Sequence, residues 1–232
     1  MGGRVGSITT EIIADGLVFN MDAANRVSTI PSTSTTKAFN TIDTSISGSF
    51  INDTLYDSST IPPSFAFDGT TDYIKPNNSS LFQLANFTLS SWVKLSSINS
   101  NQYMIDTSSN SGKGFGYAFR IKSDNKIRFW AYNADNALDT SSTVTTSTWY
   151  NIVATYNNTS KIQTIYINGV LDNSNTHTQT FVLSTVSYLQ IGGSQVLSGY
   201  LNGNISTIHI YNRALSSTEV LHNYNALKSR FE

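Results

Sequence analysis

Apolar and polar residues alternate with a period of two along most of the chain after residue 64, the pattern of strands that bury one face. "KIRFWAYN" (126–133) sets Ile127, Phe129 and Ala131 on one side and Arg128, Trp130 and Tyr132 on the other. "FTLSSWVKL" (87–95) opposes Phe87 and Leu89 to Trp92. "SFAFDGTTDYIKP" (64–76) reads as strand, turn at Asp68-Gly69, strand. "YMIDTS" (103–108), "GYAFRIK" (116–122), "WYNIVATYN" (149–157), "IQTIYINGVL" (162–171), "YLQIGG" (188–193) and "GNISTIHIYN" (203–212) continue the set. The short polar links "SDN" and "NTSK" predict two hairpins. With "GLVFNMDA" (16–23) the chain holds about ten strands at close spacing, which predicts an all-β fold, a two-sheet antiparallel jelly-roll sandwich. Residues 28–64 are rich in Ser and Thr and broken by Pro31, Pro62 and Pro63. They read as a long functional or attachment loop, with short strands around Phe39 and Phe50.

Helical spacing is confined to the end. Ser216 with Glu219 three residues on has the capping-box spacing, and Val220, Leu221, Tyr224 and Leu227 then repeat as one stripe. A helix of this length is marginal alone, so the stripe is expected to dock on the sandwich. At the other end, residues 1–15 form a separate arm with Gly2, Gly3 and Gly6 and with apolar Ile8, Ile12 and Ile13. No composition break follows, so residues 16–232 make one domain.

Composition narrows the class. The 232 residues suit one β domain whose core is stable without disulfides or metals. The chain has no cysteine, which removes disulfides, thiolate zinc sites and a cysteine nucleophile. Fourteen Lys+Arg stand against 15 Asp+Glu, net −1, with no basic run, so no nucleic-acid partner is expected. The longest cationic cluster, Arg120, Lys122, Lys126 and Arg128, is interleaved with apolar residues and reads as the outer faces of two strands. Ser, Thr and Asn number 34, 28 and 24, and with 12 Tyr and 12 Phe they describe a β protein of an extracellular or virion kind. No stretch reaches the roughly 18 apolar residues of a membrane span, and the first residues lack the apolar core of a secretion signal.

The stretches "FAFDGTTDYI" (65–74), "FTLSSWVKL", "WYNIVATYN", "IYINGVL" (165–171) and "GNISTIHIYNRALSSTEV" (203–220) resemble, in this order, laminin-G-like members of the concanavalin A-like lectin/glucanase superfamily. "IYNRALS" followed by a short helix is the most specific of these. The opening "GLVFNMDAANRVS" is similar to the start of such domains in bacteriophage structural proteins. The resemblance implies two antiparallel sheets with one concave face, and it makes the closing helix a family trait. Since it starts at Gly16, the arm is expected to attach to a partner: a capsid or other virion protein, or a sister copy in a homo-oligomer.

The chemistry is sparse. A retaining glycosidase needs two carboxylates about 5–5.5 Å apart. The chain has three Glu, at 11, 219 and 232, and no strand carries paired acids; Asp135 and Asp139 flank a loop. His177, His209 and His222 share no metal-ligand spacing. "SGKGFG" (111–116) leads into a strand and reads as a hairpin loop, not a phosphate cradle. The chain is therefore expected not to be an enzyme and to need no cofactor. Calcium is the one metal that the resemblance implies, with Asp68 and Asp72 as ligands and Asp135 as a further candidate. Against it, Ser206 and Thr207 stand where many relatives carry acidic residues. For glycans, Arg128, Trp130 and Tyr132 form an aromatic-basic strip if their side of the strand faces solvent; the other reading buries Trp130 under the 28–64 loop. Trp92 and Trp149 are read as core. The expected function is a non-catalytic protein of a bacteriophage virion surface (capsid decoration, head fibre or tail-fibre tip) that binds glycan or protein, host surface polysaccharide included. The alternative is a bacterial carbohydrate-binding module or a glucanase-like glycoside hydrolase.

Overall fold

The computed structural model describes residues 12–29, 36–98, 100–107, 116–132, 136–178, 188–194 and 196–232. Among them the strands are β1 (Leu17–Asp22), β2 (Lys37–Phe39), β3 (Ser47–Ile51), β4 (Leu55–Asp57), β5 (Ser64–Asp68), β6 (Tyr73–Pro76), β7 (Phe87–Leu95), β8 (Gln102–Asp106), β9 (Gly116–Ile121), β10 (Ile127–Tyr132), β11 (Leu138–Asp139), β12 (Trp149–Asn157), β13 (Ile162–Ile167), β14 (Val170–Thr176), β15 (Gln190–Ile191), β16 (Gly193–Ser194), β17 (Gly199–Tyr200) and β18 (Asn202–Tyr211). One α-helix follows, α1 (Ser217–Leu227).

Sixteen of these strands make two antiparallel sheets, as the alternation predicts, and β16 pairs with β17 as a small third. The first runs β14-β13-β12-β7-β18-β5-β4, with β1 also on β18; the second runs β11-β10-β9-β8-β15-β6-β3-β2. β5 and β6 lie in different sheets, so the Asp68-Gly69 turn carries the chain across the sandwich rather than closing a hairpin. Both predicted hairpins form, β9–β10 and β12–β13. "IQTIYINGVL", read as one strand, is two. Asn168 and Gly169 have φ of 51° and 77°, the left-handed pair that a two-residue hairpin turn requires, and β13 folds back on β14 there. Residues 28–64 hold the two expected short strands, β2 with Phe39 and β3 with Phe50 at one end of the second sheet, and also β4 at one edge of the first.

Between the sheets lies one aromatic-rich core that includes Phe19, Phe65, Phe119, Ile152 and Ile208. The Phe87 ring sits 4.4 Å from Tyr117, 5.6 Å from Tyr156 and 6.0 Å from Phe129. Each such side chain removed from water contributes about 1.5–3 kcal/mol. Tyr117 meets its polar need by donating to the Phe82 carbonyl at 3.0 Å.

Outside the first sheet, α1 is capped as its sequence predicts: Glu219 N–H donates to Ser216 Oγ, and Ser216 N–H donates back to Glu219 Oε2 at 2.8 Å. The Arg213 guanidinium grips Glu219 in a two-bond fork, at 2.7 and 3.0 Å. Hydrogen bonds from Arg213 and Ser216 outweigh partial burial and hold the Glu219 carboxyl at about 2. Of the expected stripe Val220 and Leu227 are buried and Tyr224 packs on Trp92, while Asn223 is buried in place of Leu221. Leu221 is 44% exposed. As the helix docks, position 223 turns inward. Asn223 answers with two bonds, donating to Tyr211 Oη and accepting from Ile13 N–H. Tyr224 and Phe231 lie on Trp92, with ring centroids at 5.7 and 3.8 Å. Trp92 is thus buried, but under the C-terminal segment rather than between the sheets. Trp149 is half-buried at the rim, against Phe231 and under Lys94 Nζ, and is not core.

The described end of the arm packs on the domain itself. Ile13 packs with Tyr211, Leu215 and Val220, and Asp15 pairs with Arg213 at 2.9 Å. Residues 1–11 lie outside the described residues.

Candidate functional site

The expected aromatic-basic strip lies on the outer side of the second sheet. On β10, Ile127, Phe129 and Ala131 are fully buried in the core, which turns Arg128 and Trp130 outward. On β9, Tyr117, Phe119 and Ile121 point inward, so Ala118 and Arg120 join the outer face. A bulge in β8 between Tyr103 and Ile105 sends Met104 and Ile105 to the core and leaves Tyr103 opposite Arg120. Cross-strand register then pairs Trp130 with Ala118 and Arg128 with Arg120.

Trp130 is not the exposed platform that sugar stacking needs, because it is only 1% exposed. Its cover is not the 28–64 loop either. Trp130, Tyr103 and Ala118 form a small cluster against which Ala137 and Leu197 pack. The Trp130 and Tyr103 rings meet edge to face, 6.2 Å apart at 89°. β17 presses on the same cluster: a Cβ at Gly199 would fall 2.7 Å from the Tyr103 ring, so only glycine lets this strand lie so close.

Arg120 closes the cluster from above. Its guanidinium lies 5.4 Å from the Tyr103 ring centre and 5.6 Å from that of Trp130, both within cation–π range. Nη1 donates to Tyr103 Oη at 2.8 Å. Burial pushes the Tyr103 phenol upward, partly offset by the nearby Arg120 charge.

Arg128 is engaged differently. Nε and Nη2 bind Asp139 of β11 as a two-bond fork, at 2.6 and 2.8 Å, and Lys122 Nζ bridges Asp139 and Asp124 at 2.9 and 2.7 Å. Burial alone would raise the Asp139 carboxyl, but the hydrogen bonds from Arg128 and Lys122 prevail and bring it to about 2. The backbone of Tyr132 ends β10, and its side chain lies outside the described residues.

The two expected calcium ligands are brought together, with their oxygens engaged by donors of the protein itself. Asp68 is exposed and clasped by Thr70, through N–H at 2.8 Å and Oγ1 at 2.5 Å. Asp72 is buried and accepts the backbone N–H groups of Asp53 and Asp68, at 3.0 and 3.2 Å. Burial raises the Asp72 carboxyl and those two amides lower it, a balance that suits a pin between two turns. Among the described residues no three acidic or histidine side chains gather to hold a metal, and Asp135 lies outside them.

Arg120 and Tyr103 carry the geometry that the sequence reading did not single out as a site. The signal was present in part: Arg120 shares the outward parity of Ala118 on a strand whose hairpin partner carries Trp130. Tyr103 gave none, because its parity depends on the bulge.

An antiparallel two-sheet sandwich with a polar outer face and a helix docked on the opposite one defines a lectin-like jelly roll. The chain belongs to the concanavalin A-like lectin/glucanases superfamily, whose laminin-G pattern matches residues 68–221. No curated protein matches its sequence. Among solved structures the fold is similar to Trypanosoma rangeli sialidase in complex with sialic acid, at TM-score 0.68 and 16% identity over 93% of this chain and 33% of that one. It is also similar to the binding domain of Botulinum Neurotoxin DC in complex with SialylT, at TM-score 0.66 and 16% identity over 95% of this chain and 52% of that one. The chain therefore spans about a third of the sialidase and about half of the toxin chain.

Proposed function

We propose that the protein is a non-catalytic recognition domain of a bacteriophage virion surface, whose second sheet presents a glycan-binding face. The observation that supports the non-catalytic part is the commitment of many of the described carboxylates. Asp22 is held by Arg230, Asp139 by Arg128 and Lys122, Glu219 by Arg213 and its own helix cap. Asp57 and Asp68 are held by Ser59 and Thr70, and Asp72 and Asp172 by pairs of backbone N–H groups. In most families, hydrolysis of a glycoside uses two carboxylates at a set separation with their oxygens available to substrate and water, sialidases with their tyrosine nucleophile being an exception. Carboxylates already serving as caps and pins suit a binding role. The glycan part is supported by the two structural neighbours solved with sialic acid and SialylT. The virion part is supported by the resemblance of residues 16–28 to the start of phage structural domains.

Two measurements test the reading. Incubation with β-glucans, agar, alginate, carrageenan and sialyllactose should release no reducing ends above a boiled control; release from any of them overturns the non-catalytic assignment. Antibodies to the chain should decorate phage particles at the head or tail in electron micrographs, and labelling confined to host cell material would place the protein elsewhere.

A further inference from the structure

Four arginines are half-buried among the described residues, and three of them meet a carboxylate. Arg128 reaches Asp139 at 2.6 Å, Arg213 reaches Glu219 at 2.7 Å and Arg230 reaches Asp22 at 2.7 Å. The fourth is Arg120, and among the described residues no carboxylate oxygen lies within 4.0 Å of it. Its Nε is buried and has no hydrogen-bond partner there, and one neutral hydroxyl, Tyr103 Oη, receives Nη1. Its cross-strand neighbour is another cation, Arg128, so the fold places two guanidinium groups side by side and neutralises one.

A partly desolvated cation with no carboxylate in direct contact is costly, and the two aromatic rings beneath Arg120 return only part of that cost. The fold nevertheless fixes the group from several sides: Tyr103 Oη holds one nitrogen, the two rings support its plane, and β17, through Gly199, packs Tyr103 in place. A flexible surface arginine needs no such seat. A seat of this kind pre-orients a guanidinium for an anion from outside, and its planar fork matches a planar carboxylate better than a point charge would.

We propose that the outer face of the second sheet takes a carboxylate-bearing saccharide of the sialic- or uronic-acid class, with Arg120 binding the carboxylate. Tyr103 and Trp130 are positioning residues: both are about 1% exposed, so neither offers a ring to a sugar, and they act through the guanidinium they hold. Recognition by charge rather than by stacking follows, and with it sensitivity to salt. The proposal rests on the glycan-binding reading above and specifies its ligand.

Matched pairs of probes test it on the full chain by isothermal titration calorimetry: 3′-sialyllactose against lactose, and trigalacturonic acid against its methyl ester. In at least one pair the carboxylated member should bind roughly tenfold or more tighter than its neutral partner, as expected for a hydrogen-bonded charge, and the difference should shrink at high salt. Arg120→Gln should abolish the difference, Arg120→Lys should restore part of it, and Tyr103→Phe should weaken the carboxylated member alone. Tyr103→Phe keeps the ring and so serves if Arg120→Gln does not fold. Equal binding of both members, unaffected by these variants, overturns the carboxylate site and leaves the glycan reading standing. If no probe of either kind binds, the glycan reading falls and this site with it.

Discussion

Trp92 and Trp130 occupy equivalent situations on opposite sides of the sandwich. Each points outward from its strand, and each is nearly buried, at 3% and 1% exposure. The covers differ. Over Trp92 lie Tyr224 and Phe231 of the C-terminal segment, secured by ion pairs in which every partner is matched, Arg213 to Glu219 and Arg230 to Asp22. Over Trp130 lie Ala137, Leu197 and an arginine that no carboxylate contacts among the described residues. A face sealed by apolar rings and matched charges is complete in itself. A face sealed by an unmatched guanidinium has chemistry left over. Burial of an aromatic residue therefore does not tell a structural face from a functional one; the charge balance of its cover does.

The largest expected effects fall on the two tryptophans. Trp92→Ala and Trp130→Ala should each cost roughly 3–5 kcal/mol in chemical denaturation, because each empties a buried site. A loss well under about 1 kcal/mol at Trp130 alone would show that its cover is loose, and the comparison would then have to be redrawn with Trp130 as a binding surface.

Acid should separate the faces next. Under the first cover His209 is buried, and desolvation pulls its pKa to about 4, with Asp22 opposing and Arg230 adding to the fall. The unfolded chain then binds a proton near pH 6.5 that the folded chain refuses until about 4. Stability is therefore full above that unfolded value and declines as pH falls from about 6.5 to 4, by roughly 3 kcal/mol. His209→Gln should flatten this window, measured as unfolding free energy against pH; an unchanged slope would put the burden on another group. The Glu219 and Asp139 carboxyls, both at about 2, act in a lower window. Their stabilisation is present above the unfolded carboxylate range near 4 and disappears as pH falls toward 2.

On the second face, Asp139→Asn should cost about 1 kcal/mol, since the pair it breaks with Arg128 is partly exposed. A cost of several kcal/mol would mean that Arg128, too, lacks water. The smallest effect is expected on α1. Leu221→Ala should change stability by less than about 0.5 kcal/mol, as at an ordinary surface position. Val220→Ala should exceed it by about 1–2 kcal/mol, because Val220 is 1% exposed. Equal values in equilibrium denaturation would mean that the helix is rotated from the orientation that Asn223 docking sets.

Much of this was legible along the chain, and the reasons are local. Period-two alternation marks strand faces, so β7, β9, β10, β12 and β18 and the split of Ile127, Phe129 and Ala131 from Arg128 and Trp130 follow from side-chain parity alone. The helix cap followed too, because Ser216 and Glu219 act on backbone groups within one turn. The turn at Asn168-Gly169 carried its signal in two residues and was passed over because the apolar run continued across it. What tertiary structure alone decided was how outward-pointing residues are covered and partnered. Parity says that Trp130 leaves the core; that Leu197 and Ala137 come from elsewhere in the chain to cover it depends on long-range packing. Spacing places Leu221 in the apolar stripe; the docking of Asn223 on Tyr211 and Ile13 sets the rotation that exposes it. The sequence lists Arg120 and Arg128 as equal members of one cationic cluster. Only the arrival of β11 beside β10 brings Asp139 to Arg128 and, among the described residues, leaves Arg120 with no carboxylate in contact, because ion pairing is a matter of ångströms in space and not of residues along the chain.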